Sequence, residues 1–192
     1  MLVVFGGFIG TGKRHFARRV ATHLGGHYFD VHLRKPRFPA FTREGDVQVR
    51  QPRTDEMWVD LYKDVLEEFR TLSIQHSHII IEDDFHRKIP REFFLDGARG
   101  IFDQVVFIWF QSSDMSIEMR LMKLHQEGRG DLRRARLRLR RSQKTHEPID
   151  EHVPLFDSSI DRKGKFKELV SLIQFEAGTA LVATTKKEAP DQ

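Results

Sequence analysis

Apolar residues follow two different spacings along this chain, and each spacing predicts one kind of element. Continuous apolar runs rich in β-formers are typical of buried strands. They cover Leu2–Phe5, 27–31, Ile79–Ile81, Gln104–Phe110 and 155–160. Elsewhere, apolar residues recur every three or four positions, as they do on one face of a helix. This second spacing predicts helices over 13–24, 54–72, 114–126, 131–145 and 165–176.

The order of these elements predicts the fold, because strands and helices alternate. Alternation favours a parallel sheet of about five strands with helices on both faces, in three α/β/α layers. We expect one domain over residues 1–177 and a loose tail over 178–192. Residues 34–53 carry three prolines and no helical period, so we expect an irregular segment that lines a substrate.

Composition narrows the class of protein. The chain has 192 residues, a net charge of +4 and no cysteine, which excludes a disulfide scaffold and thiolate metal sites. The sequence has neither an apolar run of membrane length nor a signal-like start, so we expect a cytoplasmic protein without a membrane partner.

A glycine-rich segment follows the first strand and reads GFIGTGK from Gly7 to Lys13. The pattern G-x-x-x-x-G-K between a strand and a helix is typical of a loop that binds nucleotide phosphates. Its glycines let backbone N–H groups point into one concavity, and the helix N-terminus and Lys13 add positive charge. The predicted nucleotide-binding residues are Gly7, Phe8, Ile9, Gly10, Thr11, Gly12, Lys13, Arg14 and His15.

Arg14 departs from this pattern, because such loops carry a serine or threonine whose hydroxyl ligates magnesium. A guanidinium cannot ligate a cation, and its charge repels one. Three outcomes are open. Carboxylates alone hold magnesium, or Arg14 turns outward, or nucleotide binds without a productive metal. A guanidinium near phosphate favours binding of the nucleotide itself.

Acidic residues are predicted at the same sheet edge as the loop. Asp30 lies near the end of the second strand, and Glu82, Asp83 and Asp84 close the third. Hard cations bind carboxylate oxygens, and phosphoryl transfer to a hydroxyl needs a carboxylate that accepts or orients its proton. We predict that Glu82 and Asp83 hold Mg²⁺, partly through water, and that Asp30 orients the acceptor. Caps or acidic turns are the simpler alternative, which we favour for Asp84.

Residues 128–146 are dense in arginine and form a predicted lid. On a helix, one face carries the apolar residues Leu132, Ala135 and Leu139. The opposite face carries a row of arginines, namely Arg134, Arg138 and Arg141. Three interpretations are open: a solvated charged face, a nucleic-acid patch, or a mobile lid that brings arginines onto a transferring phosphate.

These segments together resemble the small P-loop kinases that phosphorylate metabolites and nucleotides. That group includes shikimate-, gluconate- and adenylate-kinase-like proteins and the zeta-toxin-like kinases. The resemblance spans about residues 2–176. It rests on GFIGTGKRHFARRVATHLGGHYFDV, IIIEDDFHRKIPRE, VVFIWFQSSDMSIEMRLMK, RLRLRRSQKTHEPIDE and PLFDSSID.

The resemblance implies a role for individual residues. The loop that ends at Lys13 would cradle the phosphates of ATP, and Asp30 would act near the acceptor hydroxyl and the metal. Glu82 would be the metal-side carboxylate, and Arg134 and Arg138 would be lid arginines. In shikimate- and gluconate-kinase-like members a second acidic residue follows the first in a D-x-D pattern. This chain has histidine at position 32 instead, which argues against those two substrates.

The sequence therefore predicts an ATP-dependent kinase with Mg²⁺ as a cofactor and a small-molecule acceptor. Lys13, Asp30, Arg134 and Arg138 are its predicted catalytic residues, and the arginines of residues 34–53 favour an anionic acceptor. One alternative is a nucleotide-binding regulator or pseudokinase in which Arg14 replaces the magnesium ligand. Another is an RNA-associated kinase or binder, whose affinity for RNA would fall steeply with salt.

Overall fold

The computed structural model describes the backbone of residues 1–34, 41–44, 47–50, 53–159 and 164–187, with side chains except in 41–44, 47–50 and 180–187. The strands are β1 (Leu2–Gly7), β2 (His27–Phe29), β3 (Phe41–Glu44), β4 (Val47–Arg50), β5 (Ile79–Glu82), β6 (Val105–Gln111) and β7 (Leu155–Asp157). The helices are α1 (Lys13–Leu24), α2 (Asp55–Gln75), α3 (Lys88–Arg99), α4 (Asp114–Gln126), α5 (Leu132–Lys144) and α6 (Lys165–Lys187).

Five parallel strands form the central sheet, in the order β2-β5-β1-β6-β7. Strand β1 lies in the middle, with Leu2 opposite Ile79 of β5 on one side and Val105 of β6 on the other. Because the strands are parallel, their carboxyl ends lie at one edge of the sheet, where such sheets bind ligands. The predicted three-layer α/β/α fold is confirmed.

Both faces of β1 are buried, which explains why its sequence is a continuous apolar run. Leu2 and Val4 pack into a core with side chains of α2 and α3. Val3 and Phe5 pack into a second core with side chains of α1 and α6. Full burial of such a side chain contributes about 2 kcal/mol, so this strand is a main source of the stability of the sheet.

Helix α2 begins where its sequence predicts. The Thr54 hydroxyl accepts a hydrogen bond from the Met57 backbone N–H at 3.4 Å, and acidic residues fill the first turn. The predicted stripe is buried at Leu61, Val65 and Phe69. The N-cap and the apolar stripe together fix the position of α2 against the sheet.

Helix α3 is absent from the predicted elements, and two residues explain why. Pro90 is the third residue of the helix, where a backbone N–H has no partner within the helix and its loss costs little. Gly97 packs so closely against Leu66 of α2 that a Cβ atom would collide with the leucine. The proline and the glycine therefore weaken the helical signal in the sequence, although the packing of α3 against α2 accommodates both residues.

Two other boundaries differ from the predictions. Residues 34–53 were expected to be irregular, but β3 and β4 form an antiparallel pair there. The side chains of residues 35–52, and with them the predicted anionic-acceptor arginines at 37, 43 and 50, lie outside the described residues. Helix α6 continues to Lys187, beyond the predicted end near residue 176, and residues 188–192 also lie outside the described part.

Across the described ranges, none of the helices combines the length and apolar character that crossing a membrane requires.

Candidate active site

The glycine-rich loop joins β1, at the centre of the sheet, to α1. Gly7, Gly10 and Gly12 all have positive φ angles, of 138°, 85° and 85°. A Cβ atom on Gly7 would collide with the Phe110 carbonyl oxygen, and Gly12 is the left-handed N-cap of α1. Both positions therefore require glycine, and the sequence motif folds into the loop that it predicts.

Lys13 points back into this loop. Its buried Nζ donates to the carbonyl oxygens of Gly7 at 2.6 Å and Phe8 at 2.9 Å. The same Nζ lies 3.8 Å from Oδ1 of Asp84. Burial lowers the pKa of Lys13, and the Asp84 carboxylate opposes that shift. The loop thus holds its cation in place with hydrogen bonds and one close carboxylate.

Arg14 turns toward the acidic residues rather than away from them. Its Nη2 lies 3.0 Å from Oδ1 of Asp30, and its Nε lies 3.2 Å from Oε1 of Glu82. Burial opposes the charge of Arg14, but Glu82 raises the pKa of the guanidinium above its ordinary value. One guanidinium therefore bridges the predicted acceptor carboxylate and the predicted metal carboxylate.

Glu82 has two further partners on the β2 side. His32 Nε2 lies 3.3 Å from its Oε1, and the Tyr28 hydroxyl donates to the same oxygen at 3.2 Å. Burial alone would raise the pKa of Glu82, but the His32 hydrogen bond and the charge of Lys13 hold it below its ordinary value. Burial and the Glu82 carboxylate raise the pKa of Tyr28 to about 12. Glu82 is thus an ionised carboxylate surrounded by donors.

Asp83 and Asp84 face different partners. Asp83 accepts from the Tyr62 hydroxyl at 3.3 Å and from the Asp84 backbone N–H at 2.7 Å. Asp84 pairs with Lys13 and, through Oδ2, with Nη2 of Arg138 at 2.7 Å. The sequence favours a cap or turn role for Asp84, but its carboxylate lies between the glycine-rich loop and helix α5. Sequence spacing could not tell which of three successive acidic residues faces Lys13.

As arranged here, these carboxylates do not fit a magnesium ion. The Arg14 guanidinium lies between Asp30 and Glu82, and the Asp83 oxygens accept other hydrogen bonds. Among the described side chains, there is no group of three or more Asp, Glu or His residues that could hold a metal. The magnesium site at Glu82 and Asp83 therefore stays a prediction.

Helix α5 carries the predicted lid arginines, and one of them lies where the sequence does not place it. The helical spacing places Arg138 in an outward row with Arg134 and Arg141, but in the structure it turns inward, toward the buried Asp84 carboxylate. Asp84 is also the main cause that raises the pKa of Arg138. Arg134 is exposed, and Arg136 pairs with Glu118 of α4. The structure thus brings Arg138 to the loop and leaves Arg134 outside it.

Arg120 of α4 was not identified from the sequence. Its Nη1 donates to the Gly10 carbonyl at 3.2 Å, and its Nη2 donates to the Ser158 carbonyl. The Ser158 hydroxyl in turn donates to the Thr11 carbonyl at 2.6 Å. The helical spacing of α4 could have identified it, because Arg120 falls on the buried face beside the apolar residue Leu121, and a charged residue on a buried face needs partners. These contacts clamp the glycine-rich loop from the β7 side.

The other predicted loop residues have varied surroundings. Phe8 packs edge-on against the Trp109 ring with centroids 5.7 Å apart, and edge-on against His146 at 5.2 Å. His15 is exposed on α1, within 3.5 Å of Arg19. Phe8 thus supports the loop through packing, whereas His15 faces solvent.

Solved structures with a similar fold are known. A sugar kinase from a Janibacter species matches with 18% identity and a TM-score of 0.69, over 93% of this chain and 96% of that chain. A gluconokinase from Sinorhizobium meliloti matches with 15% identity and a TM-score of 0.63, over 97% of both chains. The chain has the fold of the small P-loop kinases. No protein-family model and no curated protein matches its sequence.

A third match to this P-loop kinase fold contains a nucleotide analogue. Kti12 from Chaetomium thermophilum, in complex with ADP-AlF3, matches with 16% identity and a TM-score of 0.57, over 92% of this chain and 99% of that chain. At such identities the likeness concerns the fold. In this chain, Lys13, Asp84 and Arg138 meet at the carboxyl edge of the parallel sheet.

Proposed function

We propose that this protein transfers the γ-phosphate of ATP to a small-molecule acceptor. The observation that carries the proposal is the meeting of a glycine-rich loop, its buried Lys13 and the lid residue Arg138 at one sheet edge. Loop N–H groups, a lysine and an arginine are the donors that stabilise charge on a transferring phosphate. The kinase folds of the matched structures support the same reaction class.

Asp30 is the proposed group for the acceptor hydroxyl. Its Oδ1 accepts from Arg14 at 3.0 Å and from the His32 backbone N–H at 3.1 Å, and so caps the short 3₁₀ turn Val31–Leu33. Both contacts use Oδ1, so Oδ2 is the oxygen that we assign to the hydroxyl proton. Lys13 and Arg138 would then neutralise the phosphate while Asp30 orients the nucleophile.

The acceptor is proposed to be a small metabolite other than gluconate or shikimate. The residue two positions after Asp30 is His32, whose ring contacts Glu82, so the second carboxylate of a D-x-D pattern is replaced by an imidazole. Arg53, a described arginine at the end of the predicted substrate segment, lies over the Trp58 ring at 5.1 Å. A cation at this position supports an acceptor that carries negative charge.

Arg14 supports a second candidate, a nucleotide-binding regulator. Glu82 would be open to magnesium only after Arg14 has left it, because the two side chains form an ion pair. A protein in which this pair persists would bind ATP without magnesium and would transfer phosphate poorly. An RNA-associated role for the exposed arginines of α5 stays a prediction.

Calorimetric titration with ATP, with and without magnesium, separates the two candidates. The proteins to compare are wild type, Lys13→Ala, Arg14→Ser and the control Arg19→Ser, which changes an exposed arginine of the same helix. The kinase proposal expects magnesium-dependent binding that Lys13→Ala abolishes and Arg19→Ser preserves. It also expects γ-phosphate transfer in a screen of anionic metabolites.

The regulator predicts equal affinity with and without magnesium in wild type, and a magnesium requirement in Arg14→Ser. If wild type binds ATP in neither condition, both candidates are wrong. If it binds ATP with magnesium but phosphorylates no acceptor in the screen, the regulator is favoured over the kinase.

A further inference from the structure

One carboxylate, that of Asp84, holds both cations that we assign to nucleotide phosphate. Its Oδ1 lies 3.8 Å from Lys13 Nζ, and its Oδ2 lies 2.7 Å from Arg138 Nη2. The Asp84 side chain is only 8% exposed. A loop cation and a lid cation thus share one buried anion, with one carboxylate oxygen toward each.

The backbone fixes this carboxylate in place. The Asp84 carbonyl accepts from the Gly7 N–H at 3.1 Å, so the turn after β5 is tied directly to the start of the loop. The next residue, Phe85, has a φ of 46°, which is uncommon for a residue with a side chain. Arg91 holds that turn, because its Nη1 donates to the Phe85 carbonyl at 3.0 Å. Surrounding contacts therefore impose the conformation that aims Asp84 at the loop.

Carboxylates and phosphates compete for the same donors. Both are anions whose oxygens accept charge-assisted hydrogen bonds from lysine and arginine. Lys13 and Arg138 cannot serve Asp84 and a phosphate chain fully at the same time. We propose that Asp84 competes with nucleotide phosphate for Lys13 and Arg138, and that the ligand binds by displacing this carboxylate from both cations. The inference rests on the proposed nucleotide-binding function and adds a specificity-determining residue to it.

The competition has a direct consequence for the class of anion that binds. A ligand must replace two contacts at once, one on the loop and one on the lid, so a polyphosphate chain is favoured over a single phosphate. Only molecules in which Asp84 has released both cations can bind the polyphosphate fully. The apparent affinity for polyphosphate is therefore proportional to the fraction of such molecules. Lys13 keeps its hydrogen bonds to the Gly7 and Phe8 carbonyl oxygens when Asp84 leaves, so the buried ammonium group is not left without partners.

Binding of inorganic tripolyphosphate in the presence of a metal chelator tests this proposal without involving the adenine or the metal. Asp84→Asn keeps the size of the side chain and removes its charge. We expect the variant to bind tripolyphosphate about tenfold more tightly than wild type, because the competing anion is gone. Inorganic phosphate should gain less, since one phosphate reaches fewer of the released donors.

Glu118→Gln is the matched control, because it also removes a carboxylate from a lid arginine, Arg136, but on the side away from the loop. It should bind tripolyphosphate as wild type does. A purely structural role for Asp84 predicts weaker binding in Asp84→Asn, so a gain in affinity separates competition from structural support. Equal or weaker binding by a folded Asp84→Asn would overturn the proposal, and Asp84→Ser serves if the asparagine variant does not fold.

The outcome is distinguishable from failure of the proposed function. If wild type binds ATP and Asp84→Asn gains no affinity for tripolyphosphate, the competition is wrong and the nucleotide site stands. If Asp84→Asn binds tripolyphosphate and wild type does not, the competition is supported in its strongest form. If neither protein binds ATP or tripolyphosphate, both proposals fall together.

Discussion

Arg91 of α3 is a buried arginine that holds two backbone segments together. Its Nη1 donates to the Phe85 carbonyl at 3.0 Å, and its Nη2 donates to the Pro148 carbonyl at 2.8 Å. Burial lowers the pKa of its guanidinium, with Glu92 and Glu147 opposing the shift. One side chain therefore joins the turn after β5 to the segment that follows α5.

Replacement of Arg91 by leucine should destabilise the protein strongly. Arg91→Leu leaves two carbonyl groups without their donor, and we expect the free energy of unfolding to fall by about 2–4 kcal/mol. Urea denaturation measures the change. Arg99→Leu, at an exposed arginine of the same helix that pairs with Asp96, should change it by less than about 0.5 kcal/mol. Equal losses of unfolding free energy in the two variants would contradict the structural role of the Arg91 hydrogen bonds.

The pairing of individual side chains is the feature that the sequence predicts least well. It predicts Lys13, Arg14, Asp30 and Glu82 as site residues, and the structure brings all four to one edge. It cannot predict that Arg14 bridges two of them, because partner choice depends on side-chain direction and not on spacing. The same reason explains why the sequence favours a cap or turn role for Asp84.

Among the elements, the junction between β1 and α1 is tightly constrained. Gly7 needs a positive φ, and its Cα faces the Phe110 carbonyl of β6. Gly25, at the other end of α1, also has a positive φ but has open space around it. The same residue type therefore meets two different demands at the two ends of one helix.

Gly7→Ala and Gly25→Ala form a matched pair that tests this difference. Gly25→Ala should cost about 1 kcal/mol, the ordinary penalty for a side chain in left-handed backbone. Gly7→Ala adds a collision with β6, so we expect a loss of about 3 kcal/mol or more and a displaced loop. Thermal unfolding gives the order of the two variants. A Gly7→Ala protein as stable as Gly25→Ala would show that the loop can relax.

Element prediction succeeds where one periodic signal dominates. Helices α1 and α4 and strand β1 follow from apolar spacing, because each buries a continuous stripe or run. Helix α3 and the pair β3–β4 do not follow, because prolines and glycines interrupt the spacing and packing supplies the missing information. Local signals thus give the layers of this fold, and tertiary contacts give the connections between them.

At the scale of the whole molecule, two partly buried histidines link stability to pH. His86 contacts the Trp58 ring edge-on, and His146 stacks on Trp109. Burial lowers the pKa of both imidazoles below the ordinary 6.5, so the folded protein favours their neutral forms. The unfolded chain therefore binds protons first as the pH falls, and acidification favours unfolding.

We expect the free energy of unfolding to decrease as the pH is lowered from about 6.5 through the depressed pKa values of these histidines. The double variant His86→Gln/His146→Gln should show a smaller decrease over that interval. Denaturant unfolding at a series of pH values measures both curves. His15→Gln, at an exposed position, is the control and should follow wild type. A double variant with an unchanged slope would contradict the assignment.

The central place of β1 also gives the molecule a direction of mechanical strength. Tension applied at Met1 would draw β1 along its own axis, so its hydrogen bonds to β5 and β6 would resist together in shear. Tension applied to α6 would meet an outer-layer helix that can yield turn by turn. A motor that pulls proteins apart would therefore stall more readily at the amino-terminal strand than at α6.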